Sequence, residues 1–194
     1  MKTKALKLFS LFVFLILGTS ALAPNGISKN EELVKSFITA RNNYDVAQVK
    51  ALTTETYHET FVDGTKEIAD QAQLLDRILW GKEMASQIKL LEIKSDSNTV
   101  TTLEENTNYL DVALKRKNRK FKIVYTVKNN RIQNQKIDTL PGYNQLLGFN
   151  TEKYWKFVEY CEKHGYTYNH QALNQEAGIY LRAVLEKYRS DNKQ

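Results

Sequence analysis

Residues 99–137, TVTTLEENTNYLDVALKRKNRKFKIVYTVKNNRIQNQKI, decide the fold. They read as three extended segments in series, TVTTLEENTNYLDVAL, FKIVYTV and RIQNQKI, joined by a basic loop and an Asn129-Asn130 turn. Alternation in FKIVYTV puts Phe121, Ile123, Tyr125 and Val127 on one face, which is taken as buried. From Ile88 onward the chain therefore reads as a meander of strands.

Helices precede that meander. Ser28-Lys29-Asn30-Glu31 is a capping box opening a helix with Leu33, Val34, Phe37 and Ile38 at helical spacing, expected to end near Asn42-Asn43. Asp45 caps a second short helix through Leu52, with Val46, Val49 and Leu52 facing inward. Tyr57 to Val62 is a strand stopped by the Asp63-Gly64 turn, and a third helix is expected from about Lys66 to Trp80, ended by Gly81. Helices followed by a long antiparallel run predict an α+β fold in which N-terminal helices pack on the concave face of a curved, mostly antiparallel sheet. Such a cone encloses a pocket.

Beyond Ile137 the pattern changes. Pro141-Gly142 breaks the sheet, and two helices are expected, about Thr151 to His164 and about Asn174 to Arg189. The second carries Ala177, Tyr180, Leu181, Val184, Leu185 and Tyr188 as a wide apolar stripe that must be buried, so the tail should pack onto the preceding domain. The expected organisation is a leader at 1–23, a domain at 27–140 and a C-terminal helical extension at 141–194. The leader reading rests on Lys2, Lys4 and Lys7, the apolar run Leu8 to Leu17 and the small-residue site Ala21-Leu22-Ala23. That run is too short to span a bilayer, which predicts export to a periplasmic or extracellular location with no stable span after processing. The formal charge is +6 over 194 residues, and +6 less the three leader lysines is +3. So mild an imbalance does not point to nucleic acid. Cys161 is the only cysteine, which excludes an internal disulfide, and its place on the stripe Tyr154, Phe157, Val158 marks it as buried.

Two stretches carry a resemblance: EELVKSFITARNNYDVAQVKALTTETYHETFVDG, and the run from Thr99 to Ile137 with its strand, kinked excursion and strand. Residues 27–140 resemble the NTF2-like superfamily, the cone-shaped fold of SnoaL-like cyclases and ketosteroid isomerase, and the last two helices look like an extension of some members. The resemblance implies a pocket, and in the enzymes a base and a hydrogen-bond donor inside it, where desolvation raises a carboxylate's pKa. His58 and Asp63 are the candidate bases. Asp63 lacks a following proline and the first helix offers Phe37 where an isomerase places tyrosine, so Asp63-Gly64 also reads as an ordinary turn.

Candidate ligand-binding residues are Phe37, Tyr57, Phe61, Trp80, Leu103, Glu105 and Tyr125. Phe37, Phe61, Trp80 and Tyr125 are expected to converge on one cavity. Of the adjacent Glu104 and Glu105 at most one can face inward; the favoured reading leaves both at the sheet's edges or outer face, and if one turns inward it is Glu105, by its shared parity with Leu103. The run Lys115 to Lys120 reads as a solvated loop tip. His58, His164 and His170 lack metal-ligand spacing, so no metal and no cofactor are expected. The reading is an exported, non-catalytic module binding a small, mostly apolar molecule or a protein partner. The alternatives are a lyase or isomerase with a pocket His or Asp as base, and a structural homodimer module. An inward carboxylate within reach of a pocket tyrosine would favour the enzyme. N-terminal sequencing of the mature protein is expected to start between Ala21 and Gly26, and an intact Met1 in the host's soluble cytoplasm would refute export.

Overall fold

The structure, a computed structural model, describes residues 28–167 and 172–192; the expected leader, Tyr168 and His170 lie outside them. Helix α1, Lys29–Asn42, starts where Ser28 accepts a hydrogen bond from the Glu31 amide. Helix α2, Val46–Leu52, is capped by Asp45. Strand β1, Thr53–Phe61, turns back through Gly64, whose φ of 90° suits a residue without a Cβ, into β2, Lys66–Ile68. Helix α3, Gln71–Glu83, is followed by β3, Gln87–Asp96, and β4, Thr99–Thr107. Short helix α4, Tyr109–Ala113, leads to β5, Arg119–Lys128, and β6, Arg131–Thr139. Helices α5, Tyr143–His164, and α6, Gln175–Asp191, complete the chain.

Four expectations are corrected here. The segment expected to begin a helix at Lys66 first makes a strand, because the hairpin at Gly64 brings Ile68 opposite Glu59; the helix waits for its cap at Asp70. Gly81 lies inside α3 rather than ending it, close under Ser86. TVTTLEENTNYLDVAL is not extended throughout, because Asn108 and Asp111 form a reciprocal capping box that starts α4. The first tail helix also begins earlier than expected, directly after Gly142.

The six strands form one mixed sheet in the order β2-β1-β6-β5-β4-β3, antiparallel except for the parallel pair β1 and β6. Its concave face is built in rows. Glu59, Gln135, Tyr125 and Val100 are successive partners across β1, β6, β5 and β4, and Phe61, Ile137, Ile123 and Thr102 form the next row. Helix α1 lays Val34, Phe37 and Ile38 on this face, and together with Val49, Leu74 and Ile78 they make the main core. A second core joins Trp80 and Met84 of α3 to Leu114, Phe157, Cys161, Leu181, Val184 and Leu185. Burial pushes the Cys161 thiol up to about 11. Among the described residues, no helix is long and apolar enough to cross a membrane.

The two cores meet along α3, where α6 approaches so closely that a Cβ on Gly178 would lie 3.0 Å from the Glu83 Cβ and 3.2 Å from the Trp80 carbonyl oxygen. Neither atom is a flexible side-chain end. Gly178→Val is therefore expected to lower stability by about 1–3 kcal/mol by prying the helices apart, read as a fall in the thermal midpoint; an unchanged midpoint would mean that α6 does not brace α3.

Candidate functional site

Strand alternation aims polar side chains into the cone. Tyr57, Glu59 and Phe61 share a face on β1; Thr102, Glu104 and Asn106 share one on β4. From α1, Arg41 lies one turn beyond Phe37 on the same inward stripe, its guanidinium 5.5 Å from the centre of the Phe37 ring. Its Nη1 stands 3.5 Å from Glu59 Oε1. The Tyr57 hydroxyl donates to that oxygen at 2.5 Å and accepts from Gln135 Nε2 at 2.6 Å. A few ångströms across the sheet, Tyr125 donates to Glu104 Oε1 at 2.7 Å and Thr102 donates to the same atom at 2.6 Å. Glu104 Oε2 is buried with no partner.

The electrostatics follow from burial. Desolvation, reinforced by Glu59 for Tyr57 and by Glu104 for Tyr125, holds both phenols well above their ordinary range. Burial alone would lower Arg41, but Glu59 and the surrounding oxygens outweigh it and keep the guanidinium firmly charged. Glu104 is raised, chiefly by desolvation, against the hydrogen bonds from Thr102 and Tyr125 and the pull of Arg41.

This network forms the floor of a cavity of about 330 Å³. Its walls are Phe61, Trp80, Phe121, Tyr143, Ile123 and Ile137, with the ion pair of Arg77 and Glu67 also on the lining. The volume lies in the range of small-molecule sites.

Of the residues expected to bind a ligand, Phe61 and Trp80 line this cavity. Phe37, Tyr57 and Tyr125 do not; all three are fully buried and packed on one another at centroid distances of 6.2 and 6.1 Å from Phe37. The expected convergence of four aromatics is thus split between core and cavity. The parity chosen for β4 is reversed: Leu103 faces outward opposite Lys122, and Glu105 lies outside between Lys89 and Lys120, 3.5 Å from the Lys120 ammonium. His58 and Asp63 are both outside the cavity. His58 alternates away from Tyr57 and Glu59, its Nδ1 3.1 Å from the Thr56 carbonyl, and exposed Asp63 accepts the Thr65 amide, which lowers its pKa. The basic run is solvated at Lys115, Lys117, Asn118 and Lys120, as expected, but Arg116 and Arg119 turn in to flank Asp111, and Lys117 lies 4.6 Å over the Phe149 ring. Sequence reasoning missed Arg41, Glu59, Glu104 and Gln135. A charge on the 34, 37, 38, 41 stripe was the available signal for Arg41, and shared parity with Tyr57 was the signal for Glu59.

The floor makes two checkable predictions. Tyr57→Phe strands Gln135 Nε2 and removes a donor from Glu59, and should cost about 1–3 kcal/mol in chemical unfolding. Glu104 has a folded pKa above the unfolded glutamate value of about 4.3, so it favours the folded state fully below that pH. Its contribution is lost as pH rises through the folded value. Glu104→Gln should therefore flatten the decline of stability above about pH 4.3; unchanged pH dependence would place Glu104 in water.

No family model and no curated protein sequence matches the chain. Among solved structures, an uncharacterised cystatin-fold protein from Novosphingobium aromaticivorans is similar at TM-score 0.50 and 15% identity, over 58% of this chain and 98% of that one. An LEH-like epoxide hydrolase of M. tuberculosis is similar at 0.49 and 17%, over 62% and 91%. An NTF2-like protein of unknown function from Burkholderia pseudomallei is similar at 0.48 and 14%, over 64% and 99%. At such identities the likeness is one of fold alone. The fold itself is an α+β cone, helices across the concave face of a curved six-stranded mixed sheet, with two further helices at its C-terminal end.

Proposed function

We propose that the chain is an exported module that binds a small, mostly apolar molecule carrying a polar group, in the cavity of the cone. One observation carries this reading. The cavity is amphipathic, with aromatic and aliphatic walls on one side and the Arg41, Glu59 and Glu104 floor on the other. Flat apolar surface gains from burial against Phe61, Trp80 and Phe121, while a polar end meets groups already held in place by the network, so little ordering cost remains. Export is supported by the leader sequence.

A second reading is favoured by a different detail. Two inward carboxylates stand within hydrogen-bond reach of tyrosines, and Glu59 uses only Oε1 in its bonds to Tyr57 and Arg41. Glu59 Oε2 is then the oxygen able to take a proton from a bound molecule, as a general base must. In that reading Glu59 replaces His58 and Asp63.

N-phenyl-1-naphthylamine, a neutral aromatic dye, is expected to bind the wild type with a rise in fluorescence, and Phe61→Ala should weaken it by roughly tenfold, the value of one truncated aromatic contact. Absence of dye binding would overturn the cavity reading. Native mass spectrometry of protein from its own host then supplies the natural ligand. Turnover of that compound, lost in Glu59→Gln with affinity retained, would establish the second reading over the first.

A further inference from the structure

The cavity has a charge surplus at one end. Arg41 is matched by Glu59 and Arg77 by Glu67, and Glu104 is engaged by Tyr125 and Thr102. The remaining cation on the lining is Arg119, which with Trp80 and Asn108 also lines a second cavity of about 220 Å³ between the cone and the tail helices. Arg116 lies on that second cavity too. Both arginines depend on one carboxylate. Asp111 Oδ1 is 3.3 Å from Arg116 Nε, and Oδ2 accepts from Arg119 Nη2 at 3.2 Å. Asp111 is itself held in the Asn108 capping box and is 1% exposed, so it cannot move to neutralise either partner more fully. Two guanidinium groups against one carboxylate leave an excess of one positive charge. Among the described residues, neither Nε, though buried, has a hydrogen-bond acceptor. Among them, too, Nη2 is the engaged nitrogen of Arg119, which leaves most of a planar donor fork uncommitted on the wall common to both cavities. Partial burial, with the like charge of Arg119, holds Arg116 below its ordinary pKa despite Asp111.

We propose that the Arg119 end of the cavity is an anion subsite, and that the ligand is a small organic acid whose apolar body lies in the cone with its carboxylate on the Arg119 guanidinium. This rests on the cavity-binding reading and names its ligand class. A planar carboxylate fits the guanidinium fork, and a charge-assisted bond to it is worth more than a neutral one. The acid also supplies the anion that Asp111 alone does not.

The test is displacement of N-phenyl-1-naphthylamine by 1-naphthylacetate and by its neutral counterpart 1-naphthylacetamide, which share one aromatic body. On the wild type the acid should displace the dye at roughly tenfold lower concentration than the amide, the value of one charge-assisted bond. Arg119→Gln should erase that difference, acid and amide then displacing the dye at equal concentrations, with the thermal midpoint showing that the variant is folded. Lys115→Gln, in the same basic run, should change neither. Equal displacement by acid and amide on the wild type would overturn the subsite while leaving the cavity reading standing. So would an Arg119→Gln variant that retains the acid's advantage. Should the wild type not bind the dye, the cavity reading itself falls and the subsite with it.

Discussion

A guanidinium inside a protein core must be answered by other charges, and that requirement at Arg41 organises the cone. Uncompensated, its burial would cost several kcal/mol. Glu59 supplies the counter-charge, Tyr57 saturates the same carboxylate oxygen, and Gln135 orients Tyr57 from the neighbouring strand. Each member needs the next, so the register between β1 and β6 and the depth of α1 are fixed together. A purely apolar floor would fill this volume with comparable or better stability. The polar floor instead holds a set of donors and acceptors at fixed positions beside an open volume, which suits recognition.

The aromatic residues divide their labour accordingly. Phe37 and Tyr125 pack edge to face beneath the network and stiffen it, while Phe61 and Trp80 face the open volume. Trp80 belongs to the second core and also lines the cavity, since its helix α3 faces the cavity on one side and carries α6 on the other. The tail therefore buttresses a cavity wall and contributes to the second cavity, where the basic segment is drawn in by Asp111 rather than left in solvent.

Much of this was legible in the sequence. Caps at Ser28, Asp45 and Asn174 and the alternation in FKIVYTV mark elements whose local signals agree with their tertiary setting. The site was less legible because its decisive residues are polar groups at apolar positions, which pattern reading assigns to solvent by default. On β4, Val100 and Leu103 have opposite parity, so the strand itself does not say which face is inward; pairing of Glu104 with Phe121 decides it. Pairing is a property of the whole sheet. Likewise Asp111 looks like a surface residue until its capping box and two arginines are brought together from three segments.

The parallel pairing of β1 with β6 carries a kinetic consequence. Tyr57 and Gln135 are 78 residues apart in sequence, yet they share the hydrogen bond at the heart of the floor. The β3 to β6 meander can zip from its local turns, whereas the first strand must wait for the last before the cone exists at all. Loop closure over that span must be met before any of its contacts form, so the floor assembles late in folding. Until it does, Arg41, Glu59 and Glu104 remain hydrated, and the polar interior acts as a brake on collapse: a compact chain with β1 out of place would have to bury these charges unpaired.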